Sequence, residues 1–382
     1  MSNVFENTSL VARDAAIELH GALTATALIP DKVEDSFAQK VGDTVSVKKR
    51  PIMTANRHTG SGAFQTSDIS EDAVDVEIQH RSYIKHKLTA QERTFEIDDF
   101  TLQVVRPAML AIAQDVDLWF IHNVLIEGFA RNVAGTEGTN PSTLAHLAAG
   151  WKTMFDSKLD PKGAKGIVNS TAAANFIQLD QFISKDYGDE KTQGLRYAIL
   201  SVIYGLDLYP STSAATQSRG YITGTVVTDG TPVLGASTLH VDGFSAATGT
   251  MTRGTRFTVA GDTEVYTLTA DATIAGSEVT LAITPVVTSD LVATDTDSSL
   301  TFKSAMTENV LFHPDAVARA LVPPMPQSAN PSSISDFEGV GIRVTLESTI
   351  NNDDTGDGDY ILFDVFVGGE VIVPEGGCIL QG

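Results

Sequence analysis

Four aspartates near the C-terminus, Asp353, Asp357, Asp359 and Asp364, are spaced partly like the oxygen ligands of a calcium loop, with Gly358 at the sharp-turn position. The spacing departs from such a loop at two points. Thr355 replaces a ligand, and Asp364 stands where a bidentate glutamate would close the shell. A hairpin turn rich in Asp and Gly accounts for the same residues without a metal, and that reading is preferred. The eight histidines lack metal-ligand spacing; His80 and His86 fall on one face of a strand, as on a solvated sheet surface. The single cysteine, Cys378, excludes an internal disulfide and a cysteine cluster for zinc. No nucleophile elbow, Walker loop or dinucleotide fingerprint occurs. The sequence therefore predicts a protein that is not an enzyme and needs no cofactor.

Charge narrows the classes further. Acidic side chains number 48 against 26 basic, a formal charge of −22, which argues against a free-standing nucleic-acid binder. The imbalance is uneven: residues 1–106 hold 12 of the basic side chains, whereas 334–382 hold only Arg343 against ten acids. The opening MSNVFENTSL has no charged start followed by an apolar core, so synthesis in a reducing cytoplasm is expected. With 382 residues the chain has length for two or three domains.

The longest regular element is a helix over 95–128. Asp98 and Asp99 stand where side-chain oxygens and negative charge favour a helix start. Leu102, Val105, Met109, Ile112, Val116, Trp119 and Ile126 recur at helical steps, and Leu110, Phe120, Val124 and Leu125 widen the apolar face. Pro107 predicts a short first helix or a kink near Val105, then a long segment with proline in its first turn. Asp115 and Asp117 interrupt an apolar run that is too short for a membrane span. Before it, 8–23 predicts a helix with Leu10, Ala15, Ile17, Leu19 and Leu23 on its apolar side, followed by an arm over 24–43.

Residues 44–50 and 73–83 alternate with period two, predicting strands, and 84–94 continues extended. Between the strands lies a polar, glycine-rich hairpin tip with little from which to build a core. Such a loop makes sense if a neighbouring subunit completes its contacts. Lys48, Lys49, Arg50 and Arg57 sit on the outgoing arm, and Asp68, Glu71, Asp72, Asp75 and Glu77 on the return. These charges can serve between subunits or pair across the hairpin itself.

After 128 the sequence predicts a loop over 133–141, helices over 142–157 and 170–179, a strand at 165–169, and a helix giving way to a strand near Gly205. Residues 220–304 change texture to short alternating runs rich in Thr, Val, Ala, Gly and Ser, a small barrel or sandwich of five or six strands. Then come 309–312, a helix starting at His313-Pro314-Asp315-Ala316, a proline-rich stretch, strands over 341–350 and 360–366, and a short strand at 370–373.

This order resembles the major capsid proteins of tailed bacteriophages, the fold named after the Hong Kong phage capsid, and within it the coat proteins of the short-tailed Salmonella-phage type, which carry an inserted β-barrel. The stretches behind the resemblance are NTSLVARDAAIEL, KVGDTVSVKKRP, LTAQERTFEIDDFTLQVVRPAMLAIAQDVD, LGASTLHVDGF, GTRFTVAG and FHPDAVARALVPP. The resemblance implies an α+β capsid fold: N-terminal helix and arm (1–43), extended hairpin (44–83), peripheral domain with a spine helix (84–131 and 336–382), axial α/β domain (132–219 and 305–335) and an inserted β-barrel (220–304). It implies self-assembly into hexamers and pentamers of an icosahedral shell around double-stranded DNA, in a virion assembled in the host bacterial cytoplasm. Partners would be other copies, a separate scaffolding protein (no self-scaffolding helical domain precedes Asn7), a portal protein and a decoration protein, with no membrane and no sequence-specific DNA binding. The hairpin contacts would come from Lys48, Lys49, Arg50, Arg57, Phe64, Asp68, Glu71 and Asp72. The spine, with Asp98, Asp99 and Pro107, would pack on strands 343–366 through Trp119 and Phe120. An encapsulin-like compartment of the same fold and a glycan-binding adhesin are the other readings; the missing signal peptide and the helical spine tell against the adhesin.

Overall fold

The computed structural model describes residues 8–30, 44–49, 73–89, 100–136, 138–156, 161–179, 203–214, 223–262, 264–288, 298–303, 307–326, 331–349 and 358–382. In chain order, helix α1 is Thr8–Ala22, strands β1 and β2 are Thr44–Lys48 and Ala73–Thr89, and the long helix α2 runs Thr101–Ile126. β3 (Val133–Ala134), α3 (Leu144–Asp156), β4 (Lys165–Val168), α4 (Ser170–Ile177) and β5 (Asp207–Pro210) follow. Eight short strands come next: β6 (Gly224–Thr228), β7 (Thr238–Phe244), β8 (Thr248–Met251), β9 (Arg256–Val259), β10 (Tyr266–Leu268), β11 (Ala272–Ala275), β12 (Val279–Thr284) and β13 (Leu300–Phe302). The chain ends with β14 (Val310–Phe312), β15 (Val317–Val322), β16 (Ser332–Phe337), β17 (Val340–Thr349), β18 (Gly358–Val371) and β19 (Gly377–Leu380). The fold is α+β with an inserted barrel-like sheet.

Contacts divide the chain into two units, 1–23, 29–116 and 317–373 in the first, 24–28, 117–316 and 374–382 in the second. The first is built on a sheet of order β1-β2-β18-β17-β16, with β15 also paired to β18. β18 is its central strand. It pairs with β2 on one side and, on the other, with β17 and then β15. Ile361, Phe363, Val365 and Val367 are buried on one face of β18, as period-two alternation requires. α1 lies against β16 and β17 and buries Ala12, Ala15, Ala16 and Leu19. Of the expected apolar side, Ala15, Leu19 and Leu23 are buried, whereas Leu10 and Ile17 are exposed.

On the other face of β18 Asp364 is fully buried. The Arg343 guanidinium, directly opposite on β17, donates through Nε to Oδ1 (2.9 Å) and through Nη2 to Oδ2 (2.5 Å). Arg81 of β2 donates to the same Oδ2. A buried carboxylate survives only when paired and hydrogen-bonded in this way.

β2 contains one bulge. Ile78 lies opposite Gly368, but His80 lies opposite Val367, so β2 has one residue more than its partner. Gly368 makes room for it: a Cβ there would stand 2.5 Å from the carbonyl oxygen of Glu77 and 3.2 Å from the Cα of Ile78. The extra residue moves every later side chain of β2 to the opposite sheet face relative to β18.

In the second unit a mixed sheet of order β3-β19-β14-β4-β5 carries α3 and α4 on an apolar cluster that includes Leu147, Met154, Val168, Phe176, Leu311 and Leu380. Gly150 of α3 lets the helix press on the sheet, since a Cβ would stand 2.5 Å from Leu311 Cδ1. Strands β6 to β13 form a sheet of order β13-β9-β10-β12-β7-β6, and a bridge between Val227 and Ser299 joins its two edges into a six-stranded barrel. β8 and β11 add a two-stranded ribbon. Leu239, Val241, Phe257, Tyr266, Leu281 and Ile283 help fill the core.

The short first helix expected to end near Val105 is the π-helical first turn of α2, Thr101–Val105, and the α-helix that follows from Arg106 carries Pro107 in its first turn, as expected; a second π stretch covers Ile121–Ile126. The extra residue in a π turn shifts the phase of the side chains, consistent with Leu102 and Leu110 being exposed. Other expectations need correction. The helix is also long and apolar enough to cross a membrane by length and composition, against the expectation from the interrupted run, but 56% of its most apolar window is buried inside the protein. The helix expected from His313 is a single 3-10 turn, Pro314–Ala316, followed by strand β15, whose residues from Val317 to Leu321 are all buried. A strand covered on both faces has no alternation to read. β15, placed in the axial segment 305–335, pairs with β18, and β19, placed in the peripheral segment 336–382, pairs with β14 and β3.

Replacing Asp364 by Ala strands the Arg343 guanidinium, which is 5% exposed, inside the sheet. The expected loss is about 3–5 kcal/mol of unfolding free energy, measured by urea denaturation. Arg81→Ala removes a half-exposed partner and costs less.

Candidate assembly surfaces

A charged side chain in an apolar helix must find partners, and α2 carries two such aspartates. Each is satisfied within its own unit. In the first, Asp115 meets His80 Nε2 at 2.9 Å and the hydroxyl of Ser82 on β2. Partial burial pushes its pKa up, but the bonds to Ser82 and His80 outweigh burial and hold the carboxyl below its ordinary value of 3.8. In the second unit, Asp117 is buried and accepts from three successive backbone N–H groups, Thr24 (2.7 Å), Ala25 (3.2 Å) and Thr26 (3.0 Å), and from the Thr26 hydroxyl (2.5 Å). It thereby fixes the short turn Thr26–Leu28 from which the expected arm departs. The two acids read in the sequence as interruptions are thus anchors.

The end of α2 is where the barrel attaches. Arg253 Nε donates to Glu127 Oε1 at 2.9 Å, and its Nη2 bonds the other oxygen. Arg256, buried, donates through Nη1 to the carbonyl of Ala130 (3.1 Å), and Arg131 donates to Glu264 (2.7 Å). Cations suit this place, because the last carbonyls of a helix carry partial negative charge. Burial raises the pKa of Glu127, and the Arg253 guanidinium offsets part of that rise. The barrel is therefore tied to the helix of its own chain.

Few of the expected site residues are brought together. Lys48 ends β1 and is exposed, and Lys49 follows it half-buried. Arg50, Arg57, Phe64, Asp68, Glu71, Asp72, Asp98 and Asp99 lie outside the described residues, as do Asp353 and Asp357. Asp359 lies on β18 opposite Ser348, and nothing further of it is described. Asp364 cannot serve a calcium ion while Arg343 and Arg81 occupy its oxygens. Among the described residues no three His, Cys, Asp or Glu side chains are grouped to hold a metal. Cys378 is buried, its thiol pushed up to about 12. Pro107 is exposed, Phe120 is buried, and Trp119 is half-buried with its ring edge-on to Phe120. The first-unit part of α2 faces β2: Ala111, Ile112 and Asp115 line, with Arg81, Ser82, Tyr83 and Ile84, a cavity of about 280 Å³.

The roles of Asp117, Arg253 and Arg256 were not foreseen. A lone acid inside a wide apolar face was a readable signal for Asp117. The arginines gave none, since alternation marks Phe257 and Val259 but not the buried Arg256 between strand and helix end.

Arg253→Ala leaves the largely buried Glu127 carboxylate without its guanidinium, and a loss of about 1–3 kcal/mol is expected by calorimetry. Asp115 sets a pH dependence. Because its folded pKa is depressed, its stabilisation is complete above the unfolded value and is lost as pH falls through the folded one, in the range below 3.8. Asp115→Asn should lower stability at neutral pH and flatten this part of the acid limb of the stability profile.

No family model and no curated protein matches the sequence. Among solved structures, one described as Mycobacterium phage Che8 aligns with 93% of this chain and 90% of its own at 14% identity and a TM-score of 0.47. The capsid structure of the cyanophage P-SCSP1u aligns with 93% of this chain and 86% of its own at 11% identity and a TM-score of 0.47. A virus-like particle from Pyrococcus furiosus aligns with 98% of this chain and all of its own, 100%, at 8% identity and a TM-score of 0.45.

Proposed function

We propose that this chain is the major shell subunit of a tailed bacteriophage, assembling into the hexamers and pentamers of an icosahedral capsid around double-stranded DNA. The observation that carries the reading is the order of parts along one chain. An N-terminal helix is followed by a long hairpin base, β1 and β2, and by a long helix. An α/β sheet interrupted by a barrel comes next, and the chain then returns to the first sheet through β15 to β18. That is the order of parts on which the sequence resemblance rests. The charge of −22 suits a container for DNA, because an acidic wall does not trap packaged phosphate. A scaffolding protein, a portal and a decoration protein belong to the same proposal, as do virion localisation, assembly in the bacterial cytoplasm and a non-enzymatic role.

Electron microscopy of the protein co-expressed with a scaffold should show closed particles of uniform size, and particles from infected cells should hold nuclease-protected DNA. Uniform particles enclosing protein cargo instead of DNA would favour the compartment reading. Monomers under all conditions, with or without scaffold, would remove both.

A further inference from the structure

The bulge at Gln79 gives the first unit a property that composition does not reveal. Ahead of it, Asp75 and Glu77 are exposed on β2, beside Thr44, Ser46 and Lys48 of β1 in the same register. Beyond it, Arg81, Tyr83, Lys85 and Lys87 are exposed. Before the bulge even-numbered residues of β2 share a face with even-numbered residues of β18, as Ile78 does with Gly368; after it odd-numbered residues do, as Arg81 does with Phe366. The acids and the bases therefore project from opposite faces of one sheet.

The basic face is concentrated. Its register places Arg81, Lys85 and Lys87 beside Arg343 of β17, with Asp364, Glu347 and, at the far edge on β16, Asp336 as carboxylates among the described side chains there. Arg81 and Arg343 share Asp364, and Lys85 reaches Glu347 at 2.6 Å. Lys87 has a ring for company, lying 6.0 Å from the centroid of Tyr360, and Tyr83 is 62% exposed. Exposed Tyr and Arg at the centre of a cationic patch are features of protein interfaces.

Copies that each carry −22 repel one another, so any association needs local pairing of opposite charge. Screening confines the repulsion to about 8 Å at physiological salt but leaves close pairs effective. A molecule with opposite charges on opposite faces satisfies this requirement head to tail, and head-to-tail contacts close into rings.

Resting on the shell-subunit reading, we infer that these two faces are the halves of one contact: the face of Arg81, Lys85 and Lys87 in one copy receives the face of Asp75 and Glu77 in the next. The occupant of the basic face is thus a second copy of this chain. The test uses two full-length variants, Lys87→Glu and Glu77→Lys, chosen because neither residue makes an ion pair among the described contacts. Each alone sets like charges at positions 77 and 87 across the contact and should associate about tenfold more weakly than the wild type in sedimentation velocity. Mixed in equal amounts, they can alternate around a ring, and association should return to within about threefold of the wild type. Wild-type association should also weaken steadily as sodium chloride rises from about 0.05 to 0.5 M.

Single variants that associate like the wild type, a mixture that stays dissociated, or salt-independent association would each overturn the inference. So would loss of double-stranded DNA binding by Lys87→Glu with association intact, which would assign the basic face to phosphate. If the variants assemble normally into closed particles, this contact fails while the shell reading stands. A wild type that forms no particles with scaffold sinks both.

Discussion

The first unit depends on one buried carboxylate. Asp364 lies in the middle of β18, the strand on which β2, β15 and β17 all pair, and it is completely removed from solvent. Desolvating a carboxylate costs several kcal/mol, and here two guanidinium groups on flanking strands offset that cost. The pairing also constrains geometry. Arg343 reaches both oxygens only when it stands opposite Asp364, and a slip of one residue in either strand would turn a charged side chain into the apolar face formed by Phe363 and Val365. A sheet assembled from segments nearly 300 residues apart in sequence is thus held in one register by a charge that tolerates no other.

With that register set, the bulge follows as a matter of counting. β2 is in step with β18 from Thr89 back to His80, and one residue must be absorbed before Ile78 reaches Gly368. The chain absorbs it where glycine leaves room against the backbone of Glu77 and Ile78. The base of the hairpin then presents Val76 and Ile78 to Ala318, Ala320, Val322 and Ile372, an apolar cluster that would otherwise meet Asp75 and Glu77. A single inserted residue therefore decides both what the hairpin base is packed on and where its charges go.

Much of this was readable in the sequence where the pattern is periodic and local. α1, β1, β2, α3, β4, α4 and six strands of the barrel follow from helical or period-two spacing bounded by turn residues. The unread parts are those with no period. β15 is buried on both faces, so its run of apolar residues is as compatible with a helix as with a strand, and the Pro-Asp before it favours the wrong choice. β8 and β11, TGTM and ATIA, are too short and too weakly alternating to stand out. The π turns at either end of α2 leave no mark in composition, because their residues keep helical backbone angles while changing which side chains face inward. The candidate site was least legible of all. Its pairs join Arg343 to Asp364, Asp117 to Thr26 and Arg253 to Glu127, and a single sequence gives the members of such pairs without saying who meets whom.

The unequal legibility has a physical origin that also bears on assembly. Local pattern encodes burial, which is paid residue by residue, whereas a charge is placed by whatever distant partner the register delivers. In an isolated chain of −22 the described basic groups are largely spoken for: Arg343 and Arg81 by Asp364, Arg253 by Glu127, Arg131 by Glu264, Lys85 by Glu347. Each pair is internal, so each reduces the attraction available to another molecule. What remains for association is the excess that internal pairing leaves, and it is directional. It lies where four cations face three carboxylates at one end of the large sheet, while the acids of β2 are turned to the opposite face. On the proposed contact, a chain whose charge is mostly consumed in holding its own fold, with a small residue of opposite sign left on two sides, would bind its like weakly at each contact. Weak contacts of that kind let misplaced subunits leave, and a closed shell becomes stable only when many of them are satisfied at once.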